Sequence, residues 1–245
     1  MLIPQENHLL AALSDEARGR LSPYLELVSL PLGDAVRHIY FPIDCVVSLL
    51  YVMENGARAE ISVVGNEGVV GVALHLGGEC TPSRAIVQSA GNAYRLPRPR
   101  LKDEFNRHGE LLMLMLRYAR CLTTQMAQTA VCNRRHTLEQ RLCRWLLLSM
   151  DRLPTDTLTT TQDLIANMLG VSHEDVTEVV CKLQKLGVIH YLRGRITVIE
   201  RVRLEAMSCE CYAVLKAETH RVFPYASSAL TQHHGLSQVS ALSAA

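Results

Sequence analysis

The sequence predicts an α+β protein in three parts: an N-terminal antiparallel β-roll, a long dimerisation helix and a C-terminal winged helix-turn-helix. Three observations lead there. From about residue 25 to 98, short alternating or β-branched runs are separated by turn residues, the pattern of many short antiparallel strands. From about Arg100 to Asn133, apolar residues recur in steps of three and four, the period of a helix packed along its length. Gln162-Asp-Leu-Ile-Ala-Asn-Met-Leu-Gly-Val-Ser-His-Glu-Asp-Val-Thr177 reads as a helix, a tight turn and a second helix.

Before the roll, Asn7 is placed to cap an entry helix over 7–24, with Leu9, Leu10, Leu13 and Ala17 at helical spacing. The strand runs are Leu25 to Leu30, His38 to Phe41, Val46 to Val52, Ala59 to Val64 and Ala85 to Gln88. Gly33-Asp34, Pro42, Asn55-Gly56, Gly65-Asn66, Gly77-Gly78 and Gly91-Asn92 punctuate them, and Asn55-Gly56 is the strongest hairpin signal. Pro97 and Pro99 close the unit.

Along the helix that follows, Leu112, Met115, Ala119, Leu122, Met126, Thr129 and Asn133 form a coiled-coil seam. Leu111, Leu114 and Leu116 are apolar as well, so one face is expected on the barrel and the other on a second copy of the chain. The simpler alternative is a helix packed only on its own barrel. A symmetric dimer would present two reading helices to a two-fold-symmetric DNA site.

The chain changes domain around Arg134-Arg135-His136. Leu138, Leu142, Trp145, Leu146 and Met150 make one amphipathic helix ending near Pro154. In the two-helix unit, Ile165, Ala166 and Leu169 face inward, Gly170 supplies the turn, and Ser172 caps a helix with Val176, Val179 and Leu183 inward. An ordinary helical hairpin is the alternative. Residues 187–199 read as two strands around Arg193-Gly194, either a DNA-touching wing or a plain hairpin closing the core. Residues 201–223 read as helical, and the Ser-, Ala- and His-rich tail from Pro224 as disordered. The expected division is 1–99 sensor, 100–135 dimerisation helix, 136–223 DNA-binding domain and 224–245 tail.

Composition sets bounds but names no partner. A formal net charge of +1 gives no bulk argument for nucleic acid, and 48% hydrophobic content suffices for real cores. No run reaches the ~20 apolar residues of a membrane helix. Eight cysteines without a secretion signal suggest free thiols in a reducing cytoplasm. No nucleophile, acid–base pair or metal cluster stands at a workable spacing, so no enzyme is expected.

The order of barrel, long helix and winged helix-turn-helix resembles the Crp/Fnr transcription regulators over roughly residues 7 to 203. The resemblance is carried by 162–177 with Lys182, Leu183 and Gly187-Val-Ile189, and by Gly65-Asn-Glu-Gly-Val-Val-Gly-Val72 running on to Pro82-Ser-Arg-Ala-Ile-Val87. It implies a homodimer whose barrel senses a signal and whose paired helices bind palindromic promoter DNA, with RNA polymerase as a further partner for an activator. It places Ser172, His173, Glu174, Thr177 and Glu178 toward the major groove. Gln162 and Ser172 suit phosphate contacts, Glu174 a cytosine amino group, and Thr177 a thymine methyl. Lys182, Arg193 and Arg195 suit phosphates. His173 and Glu178 stand where many members carry Arg, so the usual operator is not expected. With Glu174, Asp175 and Glu178 the face is acidic, which makes a module that has lost specific DNA binding the alternative function.

The resemblance also implies an effector pocket around Gly68, Val69, Gly71, Val72, Ser83, Arg84 and Met126. Nucleotide-binding members use Glu after the glycine and Arg at the place Ser83 occupies here, while Met126-Ala127 replaces hydroxyl residues. Cyclic nucleotide is therefore disfavoured, and no cofactor is expected. Iron–sulfur members use N-terminal cysteines, whereas this chain has none before Cys45. A lone His75 does not make a heme site. Cys209 and Cys211, two apart on an assumed helix, would point about 200° from each other and share no metal.

Overall fold

The computed structural model describes residues 6–54, 56, 58–71 and 83–222. Two short helices, α1 (His8–Ala11) and α2 (Asp15–Leu21), open the chain with a 3-10 turn at Ser22–Tyr24. Asn7 does cap α1: its side-chain oxygen accepts from Leu10 N while its amide donates to Pro42 O and Gly68 O, both at 2.9 Å. One buried amide thus fastens the entry helix to the roll.

The roll comprises β1 (Glu26–Leu30), β2 (Ala35–Val36), β3 (Ile39–Pro42), β4 (Val46–Val52), β5 (Arg58–Val64), β6 (Ser83–Ser89) and β7 (Gly91–Leu96). They form two antiparallel sheets, β1-β7-β3 and β2-β6-β4-β5. Strand β7 was not expected from sequence, where Gly91-Asn92 read only as a turn. It occupies the centre of the first sheet.

Two helices replace the single stretch expected after the roll: α3 (Arg98–Asn106) and α4 (Glu110–Arg135). The break falls at Arg107-His108-Gly109, where His108 takes φ 53°. Beyond it lie α5 (Leu138–Met150), β8 (Thr157–Thr159), α6 (Gln162–Leu169), α7 (His173–Lys185), β9 (Ile189–Leu192), β10 (Arg195–Val198), α8 (Arg201–Met207) and α9 (Cys211–Val222). The helix expected over 201–223 is therefore two, and the tail expectation from Pro224 lies outside the described residues.

Strand alternation explains how the parts join. On β4, Val47 and Leu49 face a roll core with Ile39, Phe41, Val64, Tyr94 and Leu96, which Leu111, Met115 and Tyr118 of α4 complete. Val46 and Leu50 face the other way, into a second core with Trp145, Leu146, Ile165 and Leu169. One sheet is thus buried on both sides, and the helical domain docks on the outer face of the roll. Helix α9 runs back along α4, where Arg120 pairs with Glu218 at 2.6 Å. Asp151, at the end of α5, accepts from Arg201 and from the Tyr212 hydroxyl, holding α8 and α9 to α5.

The face of α4 differs from the expected seam. Met115 is 2% exposed, and Leu111, Leu114, Gln125 and Thr129 are also buried within the chain itself. Leu122 packs at the edge of the roll core. The outward stripe lies round the helix from these, with Met113, Leu116 and Val131 each 53% exposed and Ala127 and Ala130 open between them. Leu112, Ala119 and Met126 are half-buried along its flank. Met115 and Thr129 are thus taken by the chain's own core, because the roll and α9 together claim a wider arc of α4 than the roll alone.

Candidate nucleic-acid interface and sensor loop

Helix α6 is capped by Thr161, whose hydroxyl accepts from Leu164 N at 3.1 Å, and ends at Gly170 with φ 64°. The left-handed turn favours glycine there and lets the chain reverse directly into α7. Ser172 caps α7 in a full capping box: its hydroxyl accepts from Asp175 N at 3.1 Å and its backbone N–H donates to Asp175 Oδ2 at 3.3 Å, with the hydroxyl also donating to that oxygen at 2.7 Å. The Ser172 hydroxyl is thereby committed to its own helix, as is the Asp175 carboxylate at the positive end of the helix dipole. The inward row is Val176, Val180 and Leu183, all buried, with Val179 only half-buried. The step from Val176 is four residues where three was expected.

The outward side of α7 holds His173, Glu174, Glu178, Cys181 and Lys185 exposed, with Thr177 half-buried beside them. Two side chains are already positioned by α6. His173 Nδ1 lies 2.7 Å from Asp163 Oδ1, and the Thr177 hydroxyl donates to Gln162 Oε1 at 2.8 Å. Gln162 and Thr177 therefore act as a pair. Asp163 and Cys181 escaped the sequence reading; Asp163 sits one residue after Gln162, where α6 spacing alone gave no signal.

Lys182 is paired with Glu139 of α5, so a phosphate must compete for it. Arg193 and Arg195 are exposed on the β9–β10 hairpin, which pairs with β8 as a three-stranded wing. Its two-residue turn places Arg193 at φ 47° and Gly194 at φ 76°, the primed geometry that matches strand twist. His173, Arg193, Arg195, Lys182 and Lys185 supply the basic groups of this surface against Glu174, Glu178 and Asp163.

The Gly65–Gly71 loop, where the effector pocket was expected, packs closely on the rest of the roll and on α4. A Cβ on Gly68 would lie 2.3 Å from the Tyr118 hydroxyl, so the α4 ring fills the ground beside this glycine. Val69 and Val70 are buried in the roll core, and Gly71 takes φ 94° with its α-carbon against the His38 backbone. Arg84 is exposed on β6, opposite Leu50 in the sheet register. Val72 lies outside the described residues, as does His75, and nothing is described of the Ser83 side chain. Met126 stands on the flank of α4, well along the helix from Tyr118.

The same loop is tied to both long helices. Glu67 forms a buried ion pair with Arg152 at 2.8 Å and accepts from Gly65 N at 3.1 Å. Arg152 follows α5 directly and also donates to Leu148 O. Burial raises the Tyr118 phenol well above its ordinary pKa, and nearby Glu67 adds to the rise, so the ring stays neutral. A cavity of about 20 Å³ beside Glu67, Tyr118, Leu122, Gln125, Arg152 and Leu215 has room for a water.

A second polar group joins roll and helices. Glu60 on β5 is buried, with its Oε2 2.6 Å from the Ser48 hydroxyl and 3.4 Å from Trp145 Nε1. The Ser48 hydroxyl is also 2.8 Å from Gln88 Oε1, and Gln88 Nε2 donates to Ser149 Oγ at 2.6 Å. Burial lifts Glu60 from 4.5 to about 7, against the opposing pull of Ser48, Arg144, Trp145 and Arg152. The single Ser48 proton serves only one of its two acceptor neighbours. A protonated Glu60 donating to Ser48, which then donates to Gln88, satisfies both.

Comparison with known proteins agrees with this geometry. Residues 140–207 match the Crp-like helix-turn-helix domain. Solved structures share the fold at low identity. A protein described as a Crp/Fnr-family transcriptional regulator from Eubacterium rectale aligns over 83% of this chain and 98% of its own, at 15% identity and TM-score 0.63. FixK2 from Bradyrhizobium japonicum aligns over 76% of this chain and 98% of its own, at 15% identity and TM-score 0.62. The c-di-GMP-responsive global regulator CLP of Xanthomonas campestris aligns over 76% of this chain and 99% of its own, at 16% identity and TM-score 0.56. No curated protein matches the chain.

Proposed function

We propose that this chain, a DNA-binding transcription regulator of the Crp/Fnr type by its helix-turn-helix domain and its fold, binds a two-fold-symmetric promoter site as a homodimer. The observation that carries the reading is the exposed row His173, Glu174 and Glu178, with half-buried Thr177 among them, on a capped α7 beside a wing bearing Arg193 and Arg195. Thr177 meets a thymine methyl while Gln162 fixes its hydroxyl; Glu174 accepts from a cytosine amino group. Arg193 and Arg195 contact phosphates, joined by Lys182 once it releases Glu139. His173, oriented by Asp163, gives a single hydrogen bond in place of a bidentate guanine contact, so the preferred operator departs from the common one.

Selection from random duplexes followed by binding titration tests this. The expected product is a pair of inverted half-sites about one helical turn apart. Affinity should fall steeply, by roughly 10³-fold, between ~50 and ~200 mM salt. Failure to enrich any sequence at ~50 mM salt would instead favour an interaction module that has lost DNA reading.

The dimer contact in this reading is the outward stripe of α4, Met113, Leu116, Ala127, Ala130 and Val131. Leu116→Asp should yield monomers by sedimentation and weaken operator binding by at least about 100-fold, because the second half-site no longer binds intramolecularly. A variant that still sediments as a dimer places the seam elsewhere. The signal enters through the Gly65–Gly68 loop, whose Glu67–Arg152 pair and Gly68–Tyr118 contact touch the DNA-binding domain and α4 at once. That compact arrangement supports a relay by loop movement, and the valines after Gly68 and Gly71, with Ser83 in place of Arg, do not favour cyclic nucleotide as the effector.

A further inference from the structure

The assumption that Cys209 and Cys211 share one helix fails: α8 ends at Met207 and α9 begins at Cys211, with Ser208–Glu210 turning between them. The turn brings both thiols to the C-terminal end of α4. Cys132 Sγ lies 3.6 Å from Cys209 Sγ, and Cys211 Sγ lies 3.5 Å from His136 Nδ1. One donor atom from each of the four residues falls within 4.8 Å of all the others. We propose that Cys132, His136, Cys209 and Cys211 form a tetrahedral Cys₃His site for a zinc-class divalent ion, which pins the end of α4 to the α8–α9 turn.

The distances suit that ion. Bond lengths of about 2.3 Å to sulfur and 2.0–2.1 Å to nitrogen, at tetrahedral angles, separate sulfurs by about 3.8 Å and sulfur from nitrogen by about 3.6 Å. A four-iron cluster holds its thiolates farther apart than this. A disulfide would use two of the thiols and leave a third thiol and an imidazole converging on it without purpose.

The surroundings also fit. Cys132, Cys209 and Cys211 are all buried and form a small core cluster of their own, separate from both larger cores. His136 Nε2 faces Glu210 Oε2 at 3.3 Å, which directs its proton to the carboxylate and leaves the Nδ1 lone pair toward the thiols. Such a carboxylate–histidine pair is the usual outer support of a metal-bound imidazole. Gln128 Nε2 donates to Cys211 Sγ at 3.0 Å, as a thiolate requires. Arg141 and Arg144 of α5 lie within electrostatic reach of Cys132 and offset the net negative charge of three thiolates on a dication. His136 is also the C-terminal cap of α4, at the joint with α5. A bound ion would therefore set the angle at which the DNA-binding domain leaves the long helix.

The full-length reduced protein, loaded with Zn²⁺ and passed over a desalting column, should retain about one zinc per chain. Cobalt loading should give thiolate-to-metal charge transfer and the intense visible bands of a tetrahedral site. Cys132→Ser and Cys211→Ser should each lower retained zinc at least about tenfold with an unchanged far-ultraviolet spectrum; should either unfold, the cobalt spectrum of the unaltered chain decides alone. The proposal is overturned by reduced protein that retains no zinc, by weak octahedral cobalt bands, by folded variants that hold zinc as before, or by a Cys132–Cys209 disulfide in metal-free isolated protein. None of these outcomes depends on DNA binding, so the site and the regulator reading fail separately.

Discussion

Arg152→Ala should destabilise the chain by about 3–5 kcal/mol, measured as the shift in urea midpoint at constant slope. Glu67 and Arg152 are each nearly enclosed, with side-chain exposures of 10% and 8%. Removing the guanidinium strands a carboxylate among Tyr118, Leu122 and Leu215, with the Gly65 amide as its remaining hydrogen-bond donor among the described residues. The cost comes chiefly from that stranded charge and not from the lost attraction. Arg152→Met combined with Glu67→Gln should therefore recover most of the loss, since replacing a buried pair by packed neutral groups is often close to neutral. A loss under about 1 kcal/mol for Arg152→Ala would mean that water reaches the pair and that the loop is not the rigid connection described above.

Glu60→Gln is expected to act in the opposite direction and only at higher pH. A carboxyl group whose folded pKa is raised binds its proton more tightly when folded, so stability falls as pH rises from the unfolded value to the folded one. For Glu60 the window runs from 4.5 to about 7. Ionisation across it costs the folded state about 3 kcal/mol. The Gln variant should match the unaltered chain near pH 4.5 and exceed it by about 3 kcal/mol at about pH 8, in paired denaturation curves. Parallel pH profiles for the two proteins would show that Glu60 is ionised throughout or reached by solvent.

The parts that were legible in sequence are those governed by local spacing. Apolar alternation marked β4 and β5, and Ala166, Gly170 and Ser172 marked the two-helix unit because turn geometry and capping act over a few residues. What was hidden depends on contacts between distant segments. Cys132 and Cys209 meet across 77 positions, and no local pattern announces that meeting. The break between α8 and α9 contains neither glycine nor proline, so helical spacing ran straight through it. The burial of Met115 and Thr129 on α4 was not legible because the sequence shows which residues are apolar, not that α9 would cover one side. Ser48, Glu60 and Gln88 could have been noticed as polar residues on strands flanked by valine and isoleucine, but their partners on α5 lie out of sequence reach. The candidate site followed the same division: the residues on α7 came from the resemblance carried by the 162–177 motif, whereas their supports, Asp163 for His173 and Glu139 for Lys182, came from packing.

Helix α9 has a mechanical consequence. A domain joined to another by one flexible joint can swivel about three axes. Here the winged domain leaves α4 through Arg135–Thr137, but its last helix returns along α4 and reaches Glu67 and Tyr118, with Val222 seated in the roll core. Two attachment points far apart on one axle remove two of those rotations. The core that Val46, Leu50 and Val63 share with Trp145, Leu146 and Ile165 blocks the third, a twist about the long axis of α4. A dimer would then carry each reading head as one piece with its roll, and the spacing of the two heads would be set by the joint between the copies.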